Sequence, residues 1–135
     1  MANIGMWGSK AMLDWVLGGA TPTQPASRLV ALSTGTPNST GAANAQGEYQ
    51  TNSGYARQTA LFGAAASPAG SASNTAAMTF GPFSSSNAIQ GMMITDTISI
   101  NSGSLWWYGT LLTARTVLPG DTLTVAAGAL IITLS

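Results

Sequence analysis

The stretches AIQGMMITD (Ala88 to Asp96) and LWWYGTLLT (Leu105 to Thr113) decide the fold. Successive side chains of a strand point to opposite faces, so Ile89, Gly91, Met93 and Thr95 share one face of the first stretch and Gln90, Met92, Ile94 and Asp96 the other. In the second, Leu105, Trp107, Gly109 and Leu111 oppose Trp106, Tyr108, Thr110 and Leu112. Both faces of both segments carry apolar groups, as in strands that lie inside a sheet. One of the aromatic faces therefore needs a cover. Trp106 and Trp107 are adjacent, so one can fill the interior while the other meets a loop, a helix or another subunit; burying such a side chain contributes roughly 2 to 4 kcal/mol.

Further strands are read on either side of this pair. RLVALS (Arg28 to Ser33), YARQTALF (Tyr55 to Phe62) and AAMTF (Ala76 to Phe80), the last stopped by Gly81 and Pro82, precede it. After it, RTVL (Arg115 to Leu118) and TLTV (Thr122 to Val125) read as a hairpin around Pro119-Gly120-Asp121, and AGALIITLS (Ala127 to Ser135) closes the chain. About eight short strands with regular turn signals predict an all-β fold, a jelly-roll or Greek-key β-sandwich, with a barrel as the alternative. Thr34 to Gly54 and Gly63 to Ser73 are long loops rich in small and polar residues. Loops of such length in a compact domain are usually functional or mobile.

The helical signal is SKAMLDWVLGG (Ser9 to Gly19), with Ser9 as N-cap, Gly18 as the left-handed terminator, and Met12, Leu13, Val16 and Leu17 on one stripe. A helix of two to three turns is marginal alone and must dock on something. ATPTQPAS (Ala20 to Ser27) then reads as an extended linker. The organisation expected is an N-terminal helical arm and linker over 1–27, followed by the sandwich over 28–135. The helix either packs over its own sandwich or docks Met6, Trp7, Met12, Trp15 and Val16 on an adjacent protein. With Trp106 and Trp107, these are the candidate interface residues.

Composition narrows the function classes. The chain has 135 residues, four Lys and Arg, four Asp and Glu, no His and no Cys. Disulfides, thiolate nucleophiles, His-based triads and the usual zinc sites are thereby excluded. Four scattered cations (Lys10, Arg28, Arg57, Arg115) cannot build the basic face that nucleic acid demands. Asn38, Asn44, Glu48 and Asn52 offer oxygen ligands, but without the Asp-rich periodicity of a calcium loop. Structural roles suit all four carboxylates: Asp121 its turn, Asp14 the helical pair with Lys10, Asp96 a strand end and Glu48 a loop. The remaining enzyme reading is an acid-base glycan hydrolase that would bring Glu48 and one Asp together. No segment approaches the roughly 20 apolar residues of a membrane span. No basic segment precedes the N-terminal apolar residues as in a signal peptide, so assembly in a cytoplasm is expected. Ala, Gly, Ser and Thr make up 70 of the 135 residues. A surface so short of charge resists association poorly, which suits a protein that works as an assembly.

In order along the chain, LVALSTGTP (Leu29 to Pro37), the acid Glu48 in a Gly-rich loop, GYARQT (Gly54 to Thr59), NTAAMTFGPF (Asn74 to Phe83), GMMITD (Gly91 to Asp96), LWWYGTL (Leu105 to Leu111) and PGDTLTVAAGALIITLS (Pro119 to Ser135) resemble a family of small tailed-bacteriophage virion proteins. Its members are described as capsid cement or decoration proteins, or as tail-fibre-like proteins. The similarity covers about Arg28 to the C-terminus. GYAR and the closing Gly-Asp-Thr-Leu segment are its most specific pieces, and SSSNAIQ departs from the aromatic residue expected before Ala88. The resemblance implies a jelly-roll-like tile on the head surface that ties major capsid protein subunits together, without cofactor, metal, nucleic acid or membrane. It would work as a homodimer or homotrimer. The alternative is a head or tail fibre domain whose two long loops recognise a host-surface glycan.

Overall fold

The computed structural model describes residues 2–39, 47–50, 54–66 and 70–134. The central parts of both long loops, with Asn44 and Asn52, lie outside the described residues. Nine strands and one helix follow in the order β1 (Ala2–Ile4), α1 (Met6–Val16), β2 (Leu29–Ser33), β3 (Gln58–Thr59), β4 (Ser71–Ser73), β5 (Met78–Phe80), β6 (Asn87–Thr95), β7 (Leu105–Val117), β8 (Leu123–Val125) and β9 (Ile131–Thr133). The fold is the all-β sandwich with a short N-terminal helix, and every strand pairing is antiparallel.

The two stretches that open the sequence form the centre. β6 lies between β7 and β2 in a five-stranded sheet of order β1-β7-β6-β2-β3. Two ribbons, β4-β9 and β5-β8, complete the strands. The main core gathers Val30, Leu32, Ile89 and Ile94 of the sheet with Tyr49, Tyr55, Met78, Phe80, Phe83 and Val117. Tyr49 packs on Tyr55 and Phe83 with ring centroids 5.5 and 5.2 Å apart, the tilted geometry that aromatic quadrupoles prefer. The alternating residues Ala31, Met93 and Leu105 form a second small cluster with Tyr108. Both faces of β6 are thus covered, as its two-sided apolar pattern requires.

Three local readings are corrected by long-range contacts. YARQTALF is strand only at Gln58–Thr59, where it meets β2; before that, Tyr55 and Arg57 tie the segment down through side-chain bonds to Leu32 and Glu48 in place of a backbone ladder. The Pro-Gly-Asp turn is present, with Asp121 N–H donating to Leu118 O at 3.0 Å, Leu118 N–H to Asp121 Oδ2 at 2.9 Å, and Gly120 at φ +90°, a conformation glycine adopts without strain. The turn does not close a hairpin, however. Phe83 and Asp121 exchange into one another's path through Phe83 N–H to Asp121 O and Gly120 N–H to Phe83 O, so β8 pairs with β5 while residues 115–117 stay with β6. Finally, Ser71–Ser73 of the second long loop is a strand paired to β9. Asn74 pins that pairing: its side chain donates to Ala76 O and Ala126 O and accepts from Leu130 N–H, all within 2.9 Å.

The N-terminal segment, read as arm and linker, contributes β1 to the main sheet, with Ile4 opposite Trp107. α1 begins three residues before the expected cap, at Met6 behind Gly5, without a side-chain cap. Gly5 sits against β7, its N–H bonded to Trp106 O at 2.7 Å, and a Cβ there would stand 2.3 Å from Leu105 O. Close approach, and not capping, selects the residue. At the other end Gly18 is left-handed, and Gly19 N–H reaches Asp14 O, the six-to-one bond of a Schellman ending.

Gly5→Ala is expected to cost about 2 kcal/mol, as overpacking does, and to lower Tm by roughly 8 °C. Gly63→Ala, where the added Cβ finds only ordinary contact, should leave Tm unchanged; equal effects in a melting assay would contradict the docking of the N-terminus.

Candidate functional site

Of the charged residues that sequence reading singled out, one acid and one cation are turned inward. Arg57 and Glu48 are both buried. The Arg57 guanidinium uses all five N–H groups: Nε donates to Glu48 Oε1 and Nη2 to Glu48 Oε2, each at 2.6 Å, while Nη1 donates to Thr95 Oγ1 and Thr97 O and Nη2 also to Ser102 O. Glu48 is equally saturated. Besides Arg57 it accepts from the Tyr55 hydroxyl at 3.1 Å and from Asn101 N–H at 2.8 Å. Tyr55 in turn accepts Leu32 N–H of β2. One bidentate pair therefore ties the Glu48 loop, β2, the end of β6 and the 97–102 connection to β7. Among the described residues, Asn101 is the one other than glycine that adopts a positive φ, +56°, and its N–H is the one held by Glu48.

No carboxylate oxygen of Glu48 is left for a substrate or a metal ion. The other three acids are similarly engaged: Asp14 with Lys10 on α1, Asp121 in its turn, and Asp96 with Ser104 N–H and the Trp106 indole. Burial pulls the Asp96 carboxyl upward, but the bonds from Ser104 and Trp106 outweigh it and hold it below the ordinary carboxylate value. Among the described residues, no three metal-ligating side chains converge.

Apolar groups, by contrast, are turned outward. Trp107 packs against the main core, while Trp106 lies half-buried over Asp96. α1 lies on β7 by its small-residue side: Gly8 is its one buried residue, and a Cβ there would stand 2.7 Å from Trp106 O. The stripe read as the helix's docking face looks away. Leu13, Val16 and Leu17 are exposed, Leu17 to 76%, and so are Met6, Trp7 and Trp15, the last to 68%; Met12 is half-buried. The structure thus brings Met12, Trp15, Trp106 and Trp107 together around a shallow groove of about 210 Å³ that also takes in Pro22 and Pro25, and leaves Met6, Trp7 and Val16 on the open side. A neighbouring groove of about 260 Å³ runs between Met92, Ile94, Trp107 and Leu111 of the sheet and Leu130 and Ile132.

One surface feature was not read from the sequence. Between Ile89–Arg115 and Gly91–Thr110 the β6-β7 register jumps, so that Leu111, Leu112, Thr113 and Ala114 stand opposite the single residue Gln90. This bulge lifts Leu112 fully into water. Its only trace in the sequence is the length of the uninterrupted run from Leu105 to Val117, which hides where pairing slips.

A family model described as Podophage GP4 fiber I protein gp80 matches residues 3–133. No curated protein matches the chain.

Removing one partner of the buried pair strands the other's charge, so Arg57→Met should destabilise by about 3 to 5 kcal/mol in urea unfolding. Glu48→Met with Arg57→Met should recover part of that loss; an additive double variant would contradict the coupling. Burial, reinforced by the Glu48 carboxylate, pushes the Tyr55 phenol well above its ordinary value. The folded chain then keeps a proton that the unfolded chain releases above pH of about 10, so this contribution is complete below that pH and declines as pH rises. Tyr55→Phe should be less stable at neutral pH yet lose less of its stability between pH of about 10 and 12.

Proposed function

Because the chain belongs to the podophage GP4 fiber I protein gp80 family, and is thereby a structural protein of a phage particle, we propose that it is a non-enzymatic subunit of a virion fibre. The reading is that it acts by being assembled rather than by turning over a substrate. One observation carries it: the ionisable pair Glu48 and Arg57 is sealed inside with every hydrogen-bonding atom used, while Trp15, Leu17 and Leu112 stand in water. An enzyme of the hydrolase type weighed above needs the reverse, an accessible carboxylate with a free oxygen. Apolar surface left in water forfeits roughly 25 cal/mol for each Å², and neighbours in a fibre would cover it many times over by repetition.

The sequence alone favoured capsid cement, bound to the major capsid protein on the outside of the head. The family description names a fibre, and we take the fibre placement in preference. Attachment there would run through the α1 face and the Trp106 groove. Host contact, with a glycan as its expected class, would fall in this reading to those parts of the stretches 34–54 and 63–70 that the buried Glu48 and Tyr49 do not draw inside.

Immunogold labelling of purified particles with antibody to this chain should mark fibres, and quantitative mass spectrometry should count it far below the major capsid protein. Labelling spread over the head at a copy number matching the shell would restore the cement placement. Absence from the particle would remove both.

A further inference from the structure

We infer that α1 is a self-association element whose outward face packs against the same face of a second copy of the chain. The inference deepens the fibre-subunit reading and rests on it for its setting, but its argument is geometric. α1 contacts β7 through Gly8, with Ala11 and Met12 beside it. Opposite this contact run Met6, Lys10, Leu13 and Leu17, all exposed. Their intervals of four, three and four residues are those of the a and d positions of a coiled coil, the spacing at which two helices interlock side chains along a seam. Trp7 and Val16 flank the row and are exposed as well.

Charge and spacing both point to a copy of the same chain as occupant. The helix carries two charges, Lys10 and Asp14, and they pair with each other. The seam therefore has no net charge: two copies meet without repulsion, and a strongly charged partner would find nothing to complement. Lys10 can lay its methylene stem along the opposing helix while its ammonium stays with Asp14. Met6, Trp7, Leu13, Val16 and Leu17 together leave on the order of 450 Å² of apolar surface in water, in the range of the largest patches that monomers show; Trp15, on the β7 side of the helix, belongs to the groove instead. Two such faces bury at most about 900 Å² in total, the size of a contact held by repetition along a fibre and not of a free-standing tight dimer. Three helical turns would not hold together as free peptides. Here β1 and Gly5 already fix the helix on β7, so association adds no cost of folding the helix, only that of holding its side chains.

At high concentration the full-length chain should sediment as an oligomer of two or more copies. Leu13→Lys combined with Leu17→Lys replaces two exposed residues and should weaken self-association roughly tenfold or more, an effect of at least about 1.4 kcal/mol, with circular dichroism and Tm of the wild type. The chain has no cysteine, so a second arm is available should that variant misfold: Leu13→Cys should cross-link copy to copy with a short bis-maleimide, and Leu112→Cys should not. A monomeric wild-type chain at high concentration, unchanged self-association of the folded double-lysine variant, or no cross-link at Leu13→Cys each overturns the inference. A monomeric chain that is still recovered in purified particles would leave the fibre reading standing with another protein over α1. A chain that associates through α1 but is absent from particles would do the converse.

Discussion

The bidentate contact of Arg57 with Glu48 is the constraint on which the rest of the fold depends. A buried pair is costly to desolvate and stabilises only if its remaining donors and acceptors are satisfied. Here Thr95, Thr97, Ser102, Tyr55 and Asn101 satisfy them. These partners belong to segments that share no strand pairing: the Glu48 loop, the GYAR stretch, the end of β6 and the connection to β7. A domain made half of Ala, Gly, Ser and Thr has little bulk with which to position such loops. Ionic and amide hydrogen bonds do it instead, through Arg57 on one side and Asn74 on the other.

That economy explains the surface. With one acid and one cation sealed inside and few charges in the chain, the exterior carries only scattered charge, Lys10, Arg115 and Asp121 among it, and large apolar side chains stand exposed between them. The connection from Asp96 to Trp106 links the two regions: the loop that Arg57 holds delivers Ser104 and Trp106 to the Asp96 carboxylate, and the Trp106 carbonyl oxygen then accepts the Gly5 N–H and is the atom against which Gly8 rests. The internal lock thus sets where α1 lies and which of its faces looks outward.

The strands that sequence reading found are those fixed by their own side chains. β2, β6 and β7 are continuous apolar runs, and their pairing at the centre follows from having two faces to bury. What depended on partners far along the chain was not legible. Turn chemistry at Pro119 to Asp121 specified the turn but not which strand β8 would join. The helix was visible from Gly18 and its apolar residues, yet its start and orientation were misread, because Gly5 and Gly8 are selected by contact with β7 and neither leaves a periodic signal. Glu48 and Arg57 stand in the order of motifs read from the sequence, and Glu48 was given a structural role in its loop. Their mutual contact, nine residues apart through a loop, has no spacing rule to betray it.

Sealing Glu48 against Arg57 while leaving large apolar side chains of α1 and β7 in water is what a subunit covered by its neighbours requires. Electron cryomicroscopy of the intact particle at side-chain resolution tests this most directly. The expected result is density for this chain in a fibre, with Leu13 and Leu17 of α1 enclosed by another copy and Glu48 sealed against Arg57. Density showing α1 bare to solvent, or Glu48 open to a bound ligand, would contradict it.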